Sequence, residues 1–265
     1  MPTPPPYAEL HCRSNFSFLT GASHPEELVA RAAELGYSAL AITDECSLSG
    51  VVRAHAEAKR CGLHLIIGSE IQLSLPAGGA AAPASPTPTD TAGAPHARLV
   101  LLAMTRRGYG NLSQWITVAR RRAPKGSYLA HPADVEGKVP KAPMLAGLPD
   151  CLALLVPNAS QPFEEVFAHA MWLKTWFQDR AAIALELLHR AGDDDLLDLV
   201  QRVAQFSGLT IVAAGDVLMH VRSRKALQDV LTATRLGLPV ALCGWHLQAN
   251  AEAHLRSRGR LWALY

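Results

Sequence analysis

Short apolar runs alternate with amphipathic segments along most of the chain, and this alternation constrains the fold more than any other feature. Buried strands are predicted at the apolar runs, which cover residues 40–43, 63–73, 98–104, 152–156, 181–187 and 209–214. Helices are predicted where apolar residues recur at helical spacing, in segments 24–35, 50–60, 108–122, 163–178 and 193–207. With a further stretch that ends at His11, about seven strands alternate with helices. This pattern predicts an α/β fold, most simply a parallel barrel, with a doubly wound open sheet as the alternative.

Local signals mark where two of the helices begin. Ser23, followed by Glu26, predicts a capping box with Pro25 in the first turn. Residues 108–112, Gly-Tyr-Gly-Asn-Leu, predict a turn that leads into a helix. They lack the glycine spacing of a phosphate-binding loop, so a structural role is the better interpretation.

The length of 265 residues and the apolar content of 49% favour a single large domain over residues 1–265. Residues 76–96 are rich in Pro, Ala, Gly and Thr, and this composition predicts a flexible insertion without a packed core. Residues 235–265 are predicted to be mainly helical. The predicted organisation is therefore one domain with one insertion and a helical C-terminal segment.

The charge balance and the cysteines exclude several classes of protein. Lys and Arg exceed Asp and Glu by 25 − 23 = 2, which is too little for a free-standing nucleic-acid-binding protein. Five scattered cysteines form no Cys-x-x-Cys pair, which indicates reduced thiols in the cytoplasm. No apolar run approaches the roughly 20 residues of a membrane span, so no membrane partner is expected.

Two short basic clusters are candidates for contact with nucleic acid or with an acidic face of another domain. Their residues are Arg120, Arg121 and Arg122, near Lys125, and Arg222, Arg224 and Lys225. A solvated surface is the plainer interpretation of such a charge run. The sequence alone leaves both interpretations open.

Acidic and imidazole side chains are expected at the ends of four strands. They are His11, Asp44, Glu70 and Asp216. Strand ends that meet at one mouth of a barrel are where such folds place divalent cations that activate water for phosphoester hydrolysis. Each residue taken singly is more typical of a turn, a helix cap or a hydrogen-bonded structural histidine. Their joint placement nevertheless predicts a shared site.

Three long stretches resemble one known family. They are residues 7–71, 98–122 and 208–237, which include "YAELHCRSNFSFLTG", "ALAITDECS", "RLVLLAMTRRGYGNL" and "TIVAAGDVLMH". These stretches are similar, in order and spacing, to the N-terminal PHP (polymerase and histidinol phosphatase) domain of bacterial C-family DNA polymerase III alpha subunits. The error-prone, damage-inducible alpha subunits are the nearest group. The resemblance implies a PHP-type distorted (β/α)7 barrel.

The resemblance also implies where metal ligands would lie. Carried onto this chain, the family pattern retains His11, Asp44, Glu70 and Asp216. It places other residue types at five ligand positions, which are Arg13, Glu45, Arg98, Asn158 and Leu218. The resemblance therefore implies a degenerate metal site that holds at most one weakly bound divalent ion.

The family further implies what the parent protein does. It would be a DNA-directed DNA polymerase that copies damaged DNA. The polymerase would bind Mg²⁺ through carboxylates of a palm domain, and those carboxylates are absent from these residues. Residues 235–265 would lead toward that palm domain. This domain would then be a structural and interaction module, with the remainder of the polymerase chain, DNA and replication or mutagenesis accessory proteins as partners. The alternative is an active metal-dependent phosphoesterase, either a 3′–5′ proofreading nuclease or a small-molecule phosphatase. No catalytic residue is assigned in the module interpretation.

Overall fold

The computed structural model describes residues 4–74, 96–140 and 142–265, and these form seven strands and eight α-helices. The strands are β1 (Ala8–Glu9), β2 (Ala39–Ile42), β3 (His64–Ser74), β4 (His96–Ala103), β5 (Cys151–Leu155), β6 (Ala181–Leu185) and β7 (Thr210–Ala213). The helices are α1 (Pro25–Glu34), α2 (Val51–Cys61), α3 (Arg106–Arg121), α4 (Pro132–Val135), α5 (Phe163–Phe177), α6 (Asp193–Ser207), α7 (Lys225–Leu236) and α8 (Arg258–Leu264). The bounds of the predicted strands and of the five predicted helices are confirmed to within two residues.

The strands neighbour one another in the order in which they occur in the chain, from β1 to β7. The chain divides into two compact units. Unit 1 comprises residues 1–67, 186–193 and 213–265, and unit 2 comprises residues 68–185 and 194–212. Strand β3 begins in unit 1 and continues into unit 2.

In unit 1, β1, β2 and the first part of β3 are parallel, with Ala8 opposite Ala39 and Ile42 opposite Ile67. The amphipathic helices α1 and α2 bury their apolar faces with β2. This core consists of Cys12, Leu28, Val29, Ala32, Tyr37, Leu40, Ile42, Ala54, Ala58, Leu63, Val217, Leu255 and Leu261. Gly62 ends α2 in the left-handed region, at φ 69°, which favours glycine because glycine has no Cβ.

In unit 2, β4 runs antiparallel to both of its neighbours, with Glu70 opposite Val100 and Leu99 opposite Leu155. Strands β5 and β6 are parallel again. The simplest expectation, an entirely parallel sheet, is therefore wrong at β4. A parallel pair needs a crossover connection, usually a helix, whereas residues 75–95 carry no helical pattern in the sequence. An antiparallel strand needs no such crossover.

Two predicted local features lie elsewhere. The capping residue of α1 is His24, whose N–H donates to Glu27 Oε2 at 2.8 Å, so the predicted box at Ser23 and Glu26 is wrong by one residue. Ser23 Oγ instead contacts His220 Nδ1. Residues 108–112 are helical rather than a turn, because Thr105 caps α3 by accepting a hydrogen bond from Gly108 N–H at 3.1 Å.

The predicted insertion 76–96 lies outside the described residues except for its last residue, His96, which begins β4. Residues 235–265 are less helical than predicted. Beyond α7 they form two short 3₁₀ turns, a bridge between Met219 and His254, and α8. In the described part of the chain, no helix combines the length and the apolar content that crossing a bilayer would require.

Candidate functional site

The backbone on either side of Cys12 runs beside the residues that follow β7. Val217 N–H donates to His11 O, and Arg13 N–H donates to Val217 O, both at 2.9 Å. Cys12 is thereby bridged in parallel to Val217. Because side chains alternate along extended backbone, His11 and Arg13 project to the same side. The local fold of unit 1 thus brings two of the predicted positions beside Asp216.

Arg13 and Asp216 form a buried ion pair. Arg13 Nη2 lies 2.5 Å from Asp216 Oδ1, and the two side chains are 10% and 5% exposed. Asp216 adopts a positive φ of 43°, which is uncommon for a residue with a side chain. Arg190 adds a second guanidinium, 4.0 Å from Asp216 Oδ2. The carboxylate that would have to bind a metal is therefore already held by protein cations.

His11 is fully buried and forms a close hydrogen bond with Glu186. Its Nδ1 lies 2.5 Å from Glu186 Oε1 and 3.9 Å from Asp216 Oδ1. Glu186, which is 4% exposed, was missed by the sequence analysis. It directly follows the buried strand β6, which ends at Leu185. The apolar run predicted from the sequence extends to residue 187, so Glu186 lay inside the predicted strand and was not singled out.

Asp44 binds the loop of residues 14–17. Its carboxylate accepts hydrogen bonds from Ser14 N at 2.7 Å, Ser14 Oγ at 2.7 Å and Ser17 Oγ at 2.8 Å. Burial raises the pKa of Asp44, while the hydrogen bonds from Ser14 and Ser17 act in the opposite direction. These contacts support the plainer interpretation of Asp44 as a residue that fixes a turn.

Glu9 is a second buried acid that the sequence analysis did not identify. It accepts hydrogen bonds from His11 N at 3.0 Å, Gly215 N at 2.8 Å and Tyr7 Oη at 2.9 Å. Burial raises its pKa above the ordinary value. It is the last residue of the two-residue strand β1 and lies between Ala8 and Leu10, two residues before the predicted end of this stretch at His11.

Two further predicted positions, Leu218 and Glu45, lie in unit 1. Leu218 is 1% exposed and lies in an apolar cluster with Ala22, Met219 and Ala253. Glu45 is partly buried, and its backbone N–H donates to Ser17 Oγ at 3.0 Å. Leu218 cannot ligate a metal, because it carries no polar side-chain atom.

Unit 2 contains the other three predicted positions. Glu70 lies in the middle of β3 rather than at its end, so that expectation is wrong, and it is 4% exposed. Arg98 Nη1 lies 4.0 Å from Glu70 Oε2. Asn158 is exposed, and its Oδ1 accepts hydrogen bonds from Ser160 N and Ser160 Oγ. Asn158 therefore stabilises a local turn.

Most of the basic residues proposed for nucleic-acid contact form internal ion pairs. Arg122 donates two hydrogen bonds to buried Asp134, at 2.7 and 2.6 Å. Three more pairs are Arg222 with Glu252 at 3.0 Å, Arg224 with Glu27 at 2.5 Å and Lys225 with Asp229 at 2.5 Å. Arg120 lies over the ring of Tyr128, while Arg121 and Lys125 are exposed. These pairs favour a structural role for the two clusters.

The retained residues do not fit a polynuclear metal centre. His11, Asp44, Glu70 and Asp216 carry atoms that could ligate a cation, and all four are buried. However, Arg13 brings a permanent positive charge to the Asp216 carboxylate, and Leu218 contributes no ligand. Zinc centres are built from neutral imidazole, thiolate and carboxylate ligands, so a guanidinium at this position disfavours a second cation.

The sequence matches the model of the PHP domain family over residues 9–205. Curated relatives are named error-prone DNA polymerase. The protein from Bordetella parapertussis is 54% identical over 98% of this chain, and the one from Ralstonia nicotianae is 48% identical over 100% of it. The chain spans only 23% and 24% of those relatives. It therefore corresponds to about a quarter of the curated proteins it matches.

A solved structure supports the fold independently. An amidohydrolase from Chromobacterium violaceum, with bound sulfate and no metal, aligns with a TM-score of 0.51 and 16% identity. The alignment covers 80% of this chain and 87% of that protein. The likeness concerns the fold alone. The family match confirms the predicted PHP-type α/β fold class, and the chain belongs to the PHP domain family.

Proposed function

We propose that this chain is the PHP portion of an error-prone DNA polymerase and that it acts as a structural and interaction module. Its 54% identity to the Bordetella parapertussis polymerase supports the first part. The parent protein would synthesise DNA across lesions, as a nucleotidyltransferase with Mg²⁺ bound outside these residues. The rest of the polymerase chain, DNA and accessory proteins would be its partners. The five free cysteines support a cytoplasmic location.

The ion pair between Arg13 and Asp216 carries the second part of the proposal. A guanidinium is always charged, and here it is bonded at 2.5 Å to the carboxylate on which a metal would depend. The Arg13 guanidinium supplies the positive charge that a metal ion would otherwise bring to the Asp216 carboxylate. The domain would then be stable without metal and would hold at most one weakly bound divalent ion.

A metal-dependent phosphoesterase is the second candidate. The observation that favours it is the burial of His11, Glu70 and Asp216, all of which are residue types that ligate cations. Both a proofreading nuclease and a small-molecule phosphatase would need at least one cation to activate water. Neither requires residues outside this chain.

A nuclease and phosphatase assay separates the two candidates. Chain purified without chelators is incubated with 3′-labelled DNA and with p-nitrophenyl phosphate, in Mn²⁺ or Zn²⁺. We expect no hydrolysis above that of the Asp216→Asn variant. The matched control is Asp179→Asn, since Asp179 is exposed. Hydrolysis that Asp216→Asn abolishes and Asp179→Asn leaves intact would establish the phosphoesterase and contradict the module.

A further inference from the structure

Phe18 is 81% exposed in unit 1, beside a cavity of about 280 Å³. Apolar walls of this cavity come from Phe18 and Leu19 on one side and from Leu227 and Leu231 of α7 on the other. A large exposed aromatic side chain beside apolar cavity walls is typical of a surface that binds a partner.

The exposure of Phe18 does not come from an unattached loop. Ser17 Oγ donates to Asp44 Oδ1 at 2.8 Å, and Thr20 N–H donates to Ser17 O at 3.0 Å. Arg235 of α7 donates to Thr20 Oγ1 at 3.3 Å, which links the loop to the helix that forms the other wall. The loop therefore holds Phe18 outward in a defined position.

Helix α7 and the residues after it present further apolar side chains to solvent. Leu227 is 39% exposed and Val230, one turn later, is 50% exposed. Leu242 is 69% exposed, and Trp245 is completely exposed. Single exposed apolar residues are ordinary, but Phe18 and Leu227 are both exposed and both line the cavity, and Val230 is exposed on the same helix as Leu227. Such a group of exposed apolar side chains indicates a surface that binds a partner. The α7 surface is defined here as Phe18, Leu227, Val230 and Leu231.

The position of this surface in the chain indicates what covers it. The PHP family model ends at residue 205, whereas α7 begins at Lys225. The match to the Ralstonia nicotianae polymerase nevertheless covers 100% of this chain, so it includes α7. Helix α7 therefore lies beyond the PHP family model but within the region that this chain shares with the polymerases. About three quarters of each polymerase lies outside the matched region.

The charges around the cavity favour a protein occupant. Arg224 and Glu27, which line it, neutralise one another at 2.5 Å. Binding to nucleic acid depends on cations available to phosphates, whereas a protein interface has an apolar centre and a polar rim. Apolar walls with polar residues and a neutral ion pair around them fit the second description.

We propose that the α7 surface is where the remainder of the polymerase chain docks, with an apolar side chain of that chain inserted into the cavity beside Phe18. This inference rests on the proposed function, because it takes the polymerase as the parent protein. It adds the location and the chemistry of the contact. The surface consists of residues separate from the ion pair of Arg13 and Asp216.

Hydroxyl-radical footprinting tests the proposal in a full-length protein. This chain replaces the matching segment of the Bordetella parapertussis polymerase, and its side-chain oxidation rates are compared with those in the free 265-residue chain. We expect Phe18 and Leu227 to react at least about fivefold more slowly in the full-length protein, as side chains at the centre of an interface do. Phe206 is the matched control, since it is a 65% exposed phenylalanine of unit 2. Its rate should not change.

Three outcomes would overturn the proposal. Unchanged Phe18 and Leu227 rates in a full-length protein that synthesises DNA would refute this surface and leave the proposed function standing. A full-length protein without polymerase activity would refute the proposed function and, with it, this inference. Protection of Phe18 in the free chain that grows with its concentration would assign the surface to a second copy of this chain.

Discussion

Replacing Arg13 by methionine should strongly destabilise the protein. The substitution keeps an unbranched side chain of similar length but removes the guanidinium that lies 2.5 Å from Asp216 Oδ1. The Asp216 side chain is only 5% exposed, so water cannot take over the role of the lost cation. The variant would bury a carboxylate that has lost its closest ionic partner.

The expected cost follows from the burial of the pair. Removing one partner of a buried ion pair typically costs about 3–5 kcal/mol. Arg190 remains near Asp216, at 4.0 Å, and compensates part of the charge. We therefore expect a loss near the lower limit, about 3 kcal/mol in the free energy of unfolding. This loss corresponds to a decrease in Tm of roughly 6–12 °C.

Urea unfolding followed by circular dichroism measures this cost. The matched control is Arg31→Met, which breaks an exposed pair with Glu34 whose side chains are 35% and 64% exposed. The Arg31→Met control should lower the free energy of unfolding by less than about 0.5 kcal/mol. Adding Asp216→Asn to Arg13→Met should recover part of the loss, because the uncompensated charge is then gone. A loss below about 1 kcal/mol for Arg13→Met would refute the reasoning.

Two further predictions concern stability. Gly108→Ala should lower the free energy of unfolding by at least about 1–3 kcal/mol, because its Cβ would lie 2.0 Å from Asp150 O. Gly110→Ala lies in the same helix with open space around it, and it should raise the free energy of unfolding by about 0.5–1 kcal/mol. Thermal unfolding measures both changes. Burial raises the pKa of Glu9 above its ordinary value of 4.5, so the folded protein favours the protonated carboxyl. The stabilisation that this proton binding provides is fully present below pH 4.5 and is lost as the pH rises through the pKa of Glu9 in the folded protein. In urea titrations at increasing pH, wild type should therefore lose stability relative to Glu9→Gln.

Each of these predictions has a result that contradicts it. Equal melting temperatures for the two alanine variants would show that the backbone near Asp150 moves aside without cost. A stability difference between wild type and Glu9→Gln that stays constant from pH 4.5 to pH 8 would show that Glu9 titrates alike in the folded and unfolded chains.

The elements were predictable because their patterns are local. The helical spacing of Leu28, Val29 and Ala32 and the apolar run at 40–43 identify α1 and β2 without any tertiary information. The direction of β4 was not predictable in this way, since strand direction depends on the connection and not on the side-chain pattern. The predicted start of α1 was wrong by one residue, because His24 takes the capping position. Ser23 instead contacts His220, a residue that is distant in the sequence, so the local pattern could not reveal this.

The candidate site was only partly predictable. Asp216 and Arg13 were identified, yet their ion pair depends on the bridge between Cys12 and Val217, which are far apart in the sequence. Glu9 became notable only through its burial and its contacts with His11 N and Gly215 N. Burial of a charged residue is decided by tertiary packing, so the sequence pattern of a two-residue strand cannot reveal it.

The number of metal ions bound per chain tests the central claim most directly. Chain purified without chelators is equilibrated with Zn²⁺ and Mn²⁺, passed over a desalting column and measured by inductively coupled plasma mass spectrometry. Because Arg13 occupies the Asp216 carboxylate, we predict fewer than one tightly bound ion per chain. Two or more tightly bound ions per chain would contradict the account, since a polynuclear centre could then form despite the ion pair.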